Sequence, residues 1–354
     1  MPQARGRVTR VDDTPSSSSP RLRNLSVWPN ELVAVFERSI TVEYASLTRS
    51  GRPVTVPTTP YLGGDGLTID VSTGLTYPAK AERARRDPRV CLLFADPVGS
   101  GLTDPPVVLV QGLATVRDAD LQANTDRYVR VSMEKLPDAT KGQPRFILRR
   151  LAWYYARIWI AVTPLHMRWW SGRDLNEAPR VWNAPEGTAA PLSDPAPSGS
   201  QPAAWLAPPS SWRAAAQDAD RLSTHDLTAV DVNGFPLCLP VARTELVDDG
   251  FRLILGGGAP LVATGSACLT MHSHAERFTG QENRTIIGTV QSSADSGEVR
   301  FRAERALADW SLAGGRPRMA LSFLTKGRHL APRLATESQR RCQPVPSVRL
   351  PDGP

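Results

Sequence analysis

The stretch STGLTYPAKAERARRDPRVCLLFADP, Ser72 to Pro97, changes character three times. Small hydroxyl residues open it, a basic run follows, and an apolar run closes it at Asp96-Pro97. Its flanks read as β-strand. Upstream, residues 50–69 alternate β-branched residues with glycine turns; downstream, PPVVLVQGLATVRD holds Gly112 where a bulge or a close backbone approach is expected. PAKAERARRDP predicts a short helix, with good helix formers between Pro78 and a stop at Asp87-Pro88. RVCLLFAD predicts a buried strand. The question is why a strand-rich chain sets Lys80, Arg83, Arg85, Arg86 and Arg89 between two buried strands.

Working outward, the second half of the chain repeats the first. Gly51, Pro53 and Pro57 match Gly234, Pro236 and Pro240 at a constant spacing of 183. Cys91-Leu92 then matches Cys268-Leu269 at 177, and Gly112 matches Gly288 at 176. The second copy has therefore lost about seven residues, at the place where the first carries its basic helix. A helix that one copy folds without is free to serve a ligand in the other. Ser72 and Thr73 at a strand end, a helix start, Lys80 and Arg83 together offer hydroxyls, N–H groups and charged donors to a phosphate. A solvated basic helix face is the other reading of the same run.

The chain has 354 residues, which suits two domains. Its 32 prolines and 26 glycines favour turns and linker over a helical bundle. A net charge of +7 suits an anionic ligand. Four cysteines without a C-x-x-C pair point to reduced thiols and a cytoplasmic protein. The N-terminus lacks a signal-peptide apolar core, and no run approaches the roughly 20 apolar residues of a membrane span. Walker, H-E-x-x-H and G-x-S-x-G motifs are absent, and no aromatic signature accompanies the arginines, so neither nucleic acid nor membrane is an expected partner.

Helices are expected over 26–38, 118–136 and 144–158. The domain reading is a disordered tail over 1–24, a first barrel over 25–178, a proline-rich linker over 179–210, a second barrel over 211–335 and a flexible tail over 336–354. His272 and His274 share one face of a strand, as a metal pair would. No acidic or cysteine partner stands at metal-site spacing, so no metal is expected. The aromatics from Trp153 to Trp170 read as core and interface.

Residues 44–117 resemble the pyridoxamine 5'-phosphate oxidase-related, FMN-binding split-barrel family. Ser50-Gly51-Arg52-Pro53 opening a strand, the run from Ser72 through Lys80 to Phe94, and the strand around Gly112 carry the resemblance. It covers most of 25–172, and more loosely 222–312 as a degenerate second copy. It implies an α+β, mainly β fold: two six-stranded antiparallel split β-barrels with short helices. It also implies FMN, or the deazaflavin F420, bound by the first barrel, and an oxidoreductase acting on a small-molecule substrate as a homodimer; the first barrels would pair between chains, or the second barrel would pack on the first within one chain as an intramolecular pseudo-dimer. A non-catalytic flavin- or haem-binding module is the alternative. Lys80, Arg83, Ser72 and Thr73 would hold the cofactor phosphate, and the backbone of Val56, Pro57 and Thr58 would pass along the ring. Where the oxidase has an Arg and a Lys on that strand, this chain has Val56 and Tyr61, so vitamin B6 oxidation is not implied. The cofactor does the hydride chemistry in this class, so no catalytic acid or base is named.

Overall fold

The computed structural model describes residues 27–173, 175–199, 211–217, 221–278, 280–292, 297–307 and 316–351. The expected N-terminal tail, and the linker residues from 200 to 210, lie outside them.

The chain opens with α1 (Asn30–Arg38), which buries Leu32, Val35 and Phe36 on one face, as its spacing predicts. There follow β1 (Val42–Leu47), β2 (Pro53–Thr58), β3 (Tyr61–Leu62), β4 (Ile69–Gly74), α2 (Ala79–Arg86), β5 (Arg89–Phe94) and β6 (Val107–Arg117). Then come α3 (Leu121–Lys135), α4 (Pro137–Thr140), α5 (Arg145–Leu148), α6 (Ala152–Tyr155), β7 (Arg157–Trp170) and β8 (Arg180–Asn183). The second half holds α7 (Trp212–Ala216), β9 (Thr224–Val230), β10 (Pro236–Pro240), β11 (Arg243–Val247) and β12 (Gly250–Ile254). It ends with β13 (Gly265–His274), β14 (Gln281–Ser292), β15 (Glu298–Ala306) and α8 (Arg316–Arg340).

One sheet runs β2-β1-β5-β6-β7-β4-β3, with β8 added to β7. The other runs β10-β9-β13-β14-β15-β12-β11. Counted from the start of each copy, both orders are the same, and every pairing in them is antiparallel. The internal repeat is thus a repeat of topology, and the fold is α+β, mainly β, as two split barrels. Each barrel path has seven strands where six are expected. In the first, Thr59-Pro60 interrupts the chain and leaves β3 as a separate two-residue edge strand. Gly112 and Gly288 do the same work in the two copies. Each marks a register shift, at Gln111/Gly112 and at Ile287/Gly288. A Cβ would clash with the carbonyl of Thr163 at the first and of Arg302 at the second.

The run VCLLFA is apolar throughout because both faces of β5 are covered. Val90, Leu92 and Phe94 enter the first barrel's own core. Cys91, Leu93 and Ala95 enter a different core, which includes Leu227, Leu237, Leu239, Leu269 and Met271 of the second barrel. Val108 and Val110 of β6 point inward, whereas Val107 and Leu109 point to the second barrel. The two barrels therefore pack face to face within one chain. Polar contacts fix the register of this packing: the Thr55 and Thr228 hydroxyls meet at 2.6 Å, and Gln111 Nε2 donates to Pro236 O at 3.0 Å.

Residues 144–158 form only the single turns α5 and α6 before β7 begins at Arg157. The β-formers Ile158, Trp159 and Ile160 are claimed by β4 across the sheet. The residues read as a linker start with β8, and Asp194 then accepts from the N–H groups of Asp118 and Ala119 at 2.7 and 2.8 Å. The C-terminal residues read as a flexible tail lie along the first barrel. So does α8, whose Leu330 and Leu334, within the range expected to be the second barrel, join the first barrel's core instead. Gln343 Oε1 accepts from the N–H of Leu121 in the first turn of α3, which has no partner within the helix, at 2.7 Å, and Val348 joins the aromatics around Tyr128. Among the described residues no helix is long and apolar enough to cross a membrane.

Candidate functional site

Helix α2 is seated by Ala81 and Ala84, both fully buried, so its long cations fall around its rim. The structure sorts those cations into two kinds. Arg85 grips both carboxylate oxygens of Asp118, at 2.8 and 2.9 Å, and beyond the helix Arg89, the first residue of β5, pairs with Asp87 at 2.7 Å. These two belong to the fold. Arg86 is exposed. Lys80 and Arg83, three residues apart and hence neighbours on the helix surface, have no carboxylate partner among the described residues. Arg83 Nε donates to the Ser46 hydroxyl at 2.9 Å and makes no ion pair there.

A third cation joins them. The β4–β7 register places Arg157 opposite Gly74. A Cβ at Gly74 would stand 2.9 Å from Arg157 Nη1, so the glycine leaves space for the guanidinium. Arg157 lies over the Tyr128 and Tyr154 rings, 4.2 and 4.8 Å from their centroids, and donates to Tyr128 Oη at 3.0 Å. Its Nε is buried without a partner, and the buried Tyr44 hydroxyl, beside Ser46, feels the Arg83 charge. Burial, then Arg157 and Arg83, push the Lys80 ammonium down to about 7. Burial also lowers Arg83. Lys80, which both arginines repel, and the unpartnered Arg157 Nε have no counter-charge among the described residues, an arrangement that suits an anion.

Val56 and Thr58 pair with Tyr44 and Val42, and so lie on the sheet face that Tyr44 and Arg83 share. Pro57 alternates to the other face, with Glu43, toward the second barrel. β2 is an edge strand, so one row of its backbone groups is not used by the sheet. Thr55 O in that strand accepts from the hydroxyls of Thr270 and Thr285, at 3.3 and 3.4 Å. Ser72 is buried on β4, and its carbonyl accepts from Thr58 Oγ1 at 3.5 Å. The Thr73 hydroxyl donates to Tyr77 O at 2.7 Å and closes the turn into α2.

Sequence reasoning missed Arg157. It lies far along the chain from Lys80, and only the strand register reveals that it faces Gly74. His272 and His274, read as a pair without acidic partners, have them in the structure: Glu43 at 2.7 Å from His272 and Asp96 at 3.3 Å from His274. His225 is held elsewhere, by Thr244 and Leu222 O. Two open cavities, of about 290 and 220 Å³, are lined by none of the α2 cations.

No family model matches the chain. No curated protein matches it either. Solved structures do show likenesses. An F420 reductase is 17% identical, with 38% of this chain and 93% of that one covered, at a TM-score of 0.29. A pyridoxamine 5'-phosphate oxidase-related, FMN-binding protein from Nostoc punctiforme is 14% identical, with 41% and 85% covered, at 0.29. The general stress protein 26 of Bacillus anthracis is 12% identical, with 44% and 96% covered, at 0.29.

Proposed function

We propose that the first barrel binds a phosphate-bearing flavin or deazaflavin, FMN or F420, and that the protein is an oxidoreductase for a small molecule. The observation that carries this reading is the cluster of Lys80 and Arg83 of α2 with Arg157 of β7: the other inward cation of the helix, Arg85, is ion-paired, whereas these lack a counter-charge among the described residues. The residues fit a phosphate, since a dianion would satisfy the Arg157 Nε and the Lys80 ammonium together. The choice of a flavin or deazaflavin rests on the family resemblance of the sequence from Ser50 to Arg117. When bound, such a cofactor supplies the hydride chemistry; the chain supplies orientation and electrostatics. Val56 and Thr58 line the same face as Tyr44, where a ring attached to that phosphate would extend along β2. The second barrel closes the other side of β2, so one chain holds two barrels around the site. A homodimer of such chains would use faces other than β1, β2 and β5, which the second barrel covers.

Titration of the full chain with FMN and with F420 tests the reading. Lys80→Ala and Arg157→Ala should each weaken binding by ~1.5–3 kcal/mol, the range for a hydrogen bond to a charged group. Arg85→Ala should lower the melting temperature and leave affinity alone. Unchanged affinity in Lys80→Ala would remove the phosphate role, and light scattering of the same samples reads the oligomeric state.

A further inference from the structure

A second polar cluster lies at the contact between the barrels. Glu43 on β1, Asp226 on β9 and His272 on β13 are all fully buried. One ligand atom from each lies within 4.8 Å of the other two. Glu43 Oε1 is 2.7 Å from His272 Nε2, and Asp226 Oδ2 is 3.7 Å from the same nitrogen. The cluster lacks donors. Glu43 Oε2, both carboxylate oxygens of Asp226, and His272 Nδ1 are buried with no hydrogen-bond partner. Two ionised carboxylates cannot be kept in a dry interior without compensation.

Further charged groups surround the cluster. Asp96 stands behind the imidazole, 4.0 Å from His272 Nδ1 and 3.3 Å from His274 Nε2. The guanidinium that acts on Glu43 and Asp226 is that of Arg173, which donates to Ala95 O at 2.6 Å. Three carboxylates, those of Glu43, Asp226 and Asp96, thus converge on one imidazole, with Arg173 and His274 as the cationic groups that act on them, and a cation between Glu43 and Asp226 would compensate the two acids that lack donors.

The internal repeat explains how the acids meet. The spacing of 183 that relates Gly51 to Gly234 also relates Glu43 to Asp226, and each pairs with the equivalent proline, Pro57 or Pro240. The two copies of one strand position therefore face each other where the barrels join. His272 breaks this symmetry, since its counterpart at the spacing of 177 is Ala95.

We propose that Glu43, Asp226 and His272 bind one divalent first-row transition ion, which staples the two barrels together. A set of one imidazole and two carboxylates suits Zn²⁺ or Mn²⁺. Metal bonds of about 2.0–2.2 Å set ligand atoms roughly 3 Å apart, and the separations of 2.7 and 3.7 Å straddle that value. Asp96 stands on the side of the other imidazole nitrogen, 4.0 Å away, where a small shift on metal binding would let it accept that N–H and orient the histidine. This inference does not rest on the cofactor reading.

The full-length chain, stripped with a chelator and shown folded by circular dichroism, is dialysed against Zn²⁺ and separately against Mn²⁺. The expected result is one ion per chain and a higher melting temperature on loading. Asp226→Asn and His272→Gln should each weaken binding by at least about a hundredfold and abolish the rise. A folded wild-type chain that takes up no ion overturns the proposal. Unchanged binding in the folded variants overturns it too, because the ion then sits elsewhere. Should the variants not fold, X-ray absorption of the Zn²⁺-loaded wild type decides. One imidazole with oxygen ligands supports the site, and a sulfur-containing or multi-imidazole shell overturns it.

Discussion

The two barrels share one strand order and differ most at a single connection. From β4 to β5 the first barrel builds α2, with Lys80 and Arg83 uncompensated. From β12 to β13 the second barrel has no helix, only residues 255–264. That loop serves the packing of the barrels. Gly258 N donates to Leu175 O at 2.6 Å, and Gly258 O accepts from Trp170 Nε1 at 3.1 Å, both at the end of the first barrel. The same place in the same topology thus holds cations in one copy and a docking contact in the other. A duplicated fold lets one copy drop the basic helix and turn its surface into a cover for the other.

The sharpest way to break this comparison is at β5, where adjacent residues face the two cores. Leu92 is fully buried in the first barrel, and Leu93 is fully buried against the second. Leu92→Ala and Leu93→Ala should each cost ~2–5 kcal/mol, since each removes methyl groups from a closed core. Urea denaturation of the full chain reads both. A Leu93→Ala cost within about 0.5 kcal/mol, as for a surface site, would mean that the barrels do not share a core.

Next in size is the docking loop. A Cβ at Gly258 would strike the carbonyl of Glu177, which is backbone and cannot swing aside. Gly257, one residue earlier, has nothing within 4 Å. Gly258→Ala should destabilise by ~1–3 kcal/mol through forced movement. Gly257→Ala should be neutral or stabilising by up to about 1 kcal/mol through the unfolded chain. Equal melting temperatures for the two variants would show that the loop does not dock as described.

Much of the fold is legible in the sequence because it is written in local pattern. The G-x-P-x-x-x-P repeat, the α2 boundaries between Pro78 and Asp87, and Gly112 as a close backbone approach all need only neighbours to be read. The uninterrupted VCLLFA run signals burial on both faces, but not that the second face meets the other half of the chain. The candidate site is legible only on its helical side. Lys80 and Arg83 stand out because one copy lacks them, whereas Arg157 enters through the β4–β7 register. The partners of His272 come from β1 and β9; the repeat spacing relates Glu43 to Asp226, but nothing in it relates either to His272 or says that the two barrels pack together.

The smallest effect concerns pH and again separates the copies, because only the first has a lysine at this connection. Lys80 is pushed down to about 7 from its ordinary 10.5 by burial and by its cationic neighbours. In the unfolded chain it keeps its proton to the ordinary value. Between about pH 7 and 10.5 the unfolded state therefore binds more protons, and the cofactor-free protein gains stability from this residue as pH rises. Binding has the opposite sign. A phosphate dianion beside Lys80 restores the proton, so affinity should fall as pH rises above about 7, by at most about tenfold per pH unit. Arg83 and Arg157 stay charged throughout and set a floor. Working above pH 7 keeps the phosphate's own titration, near pH 6, out of the profile. FMN and F420 titrations at constant ionic strength from about pH 7 to about pH 9 read the slope. Lys80→Ala should bind more weakly and flatten it. A wild-type profile already flat over that range would take Lys80 off the phosphate, whatever the cofactor.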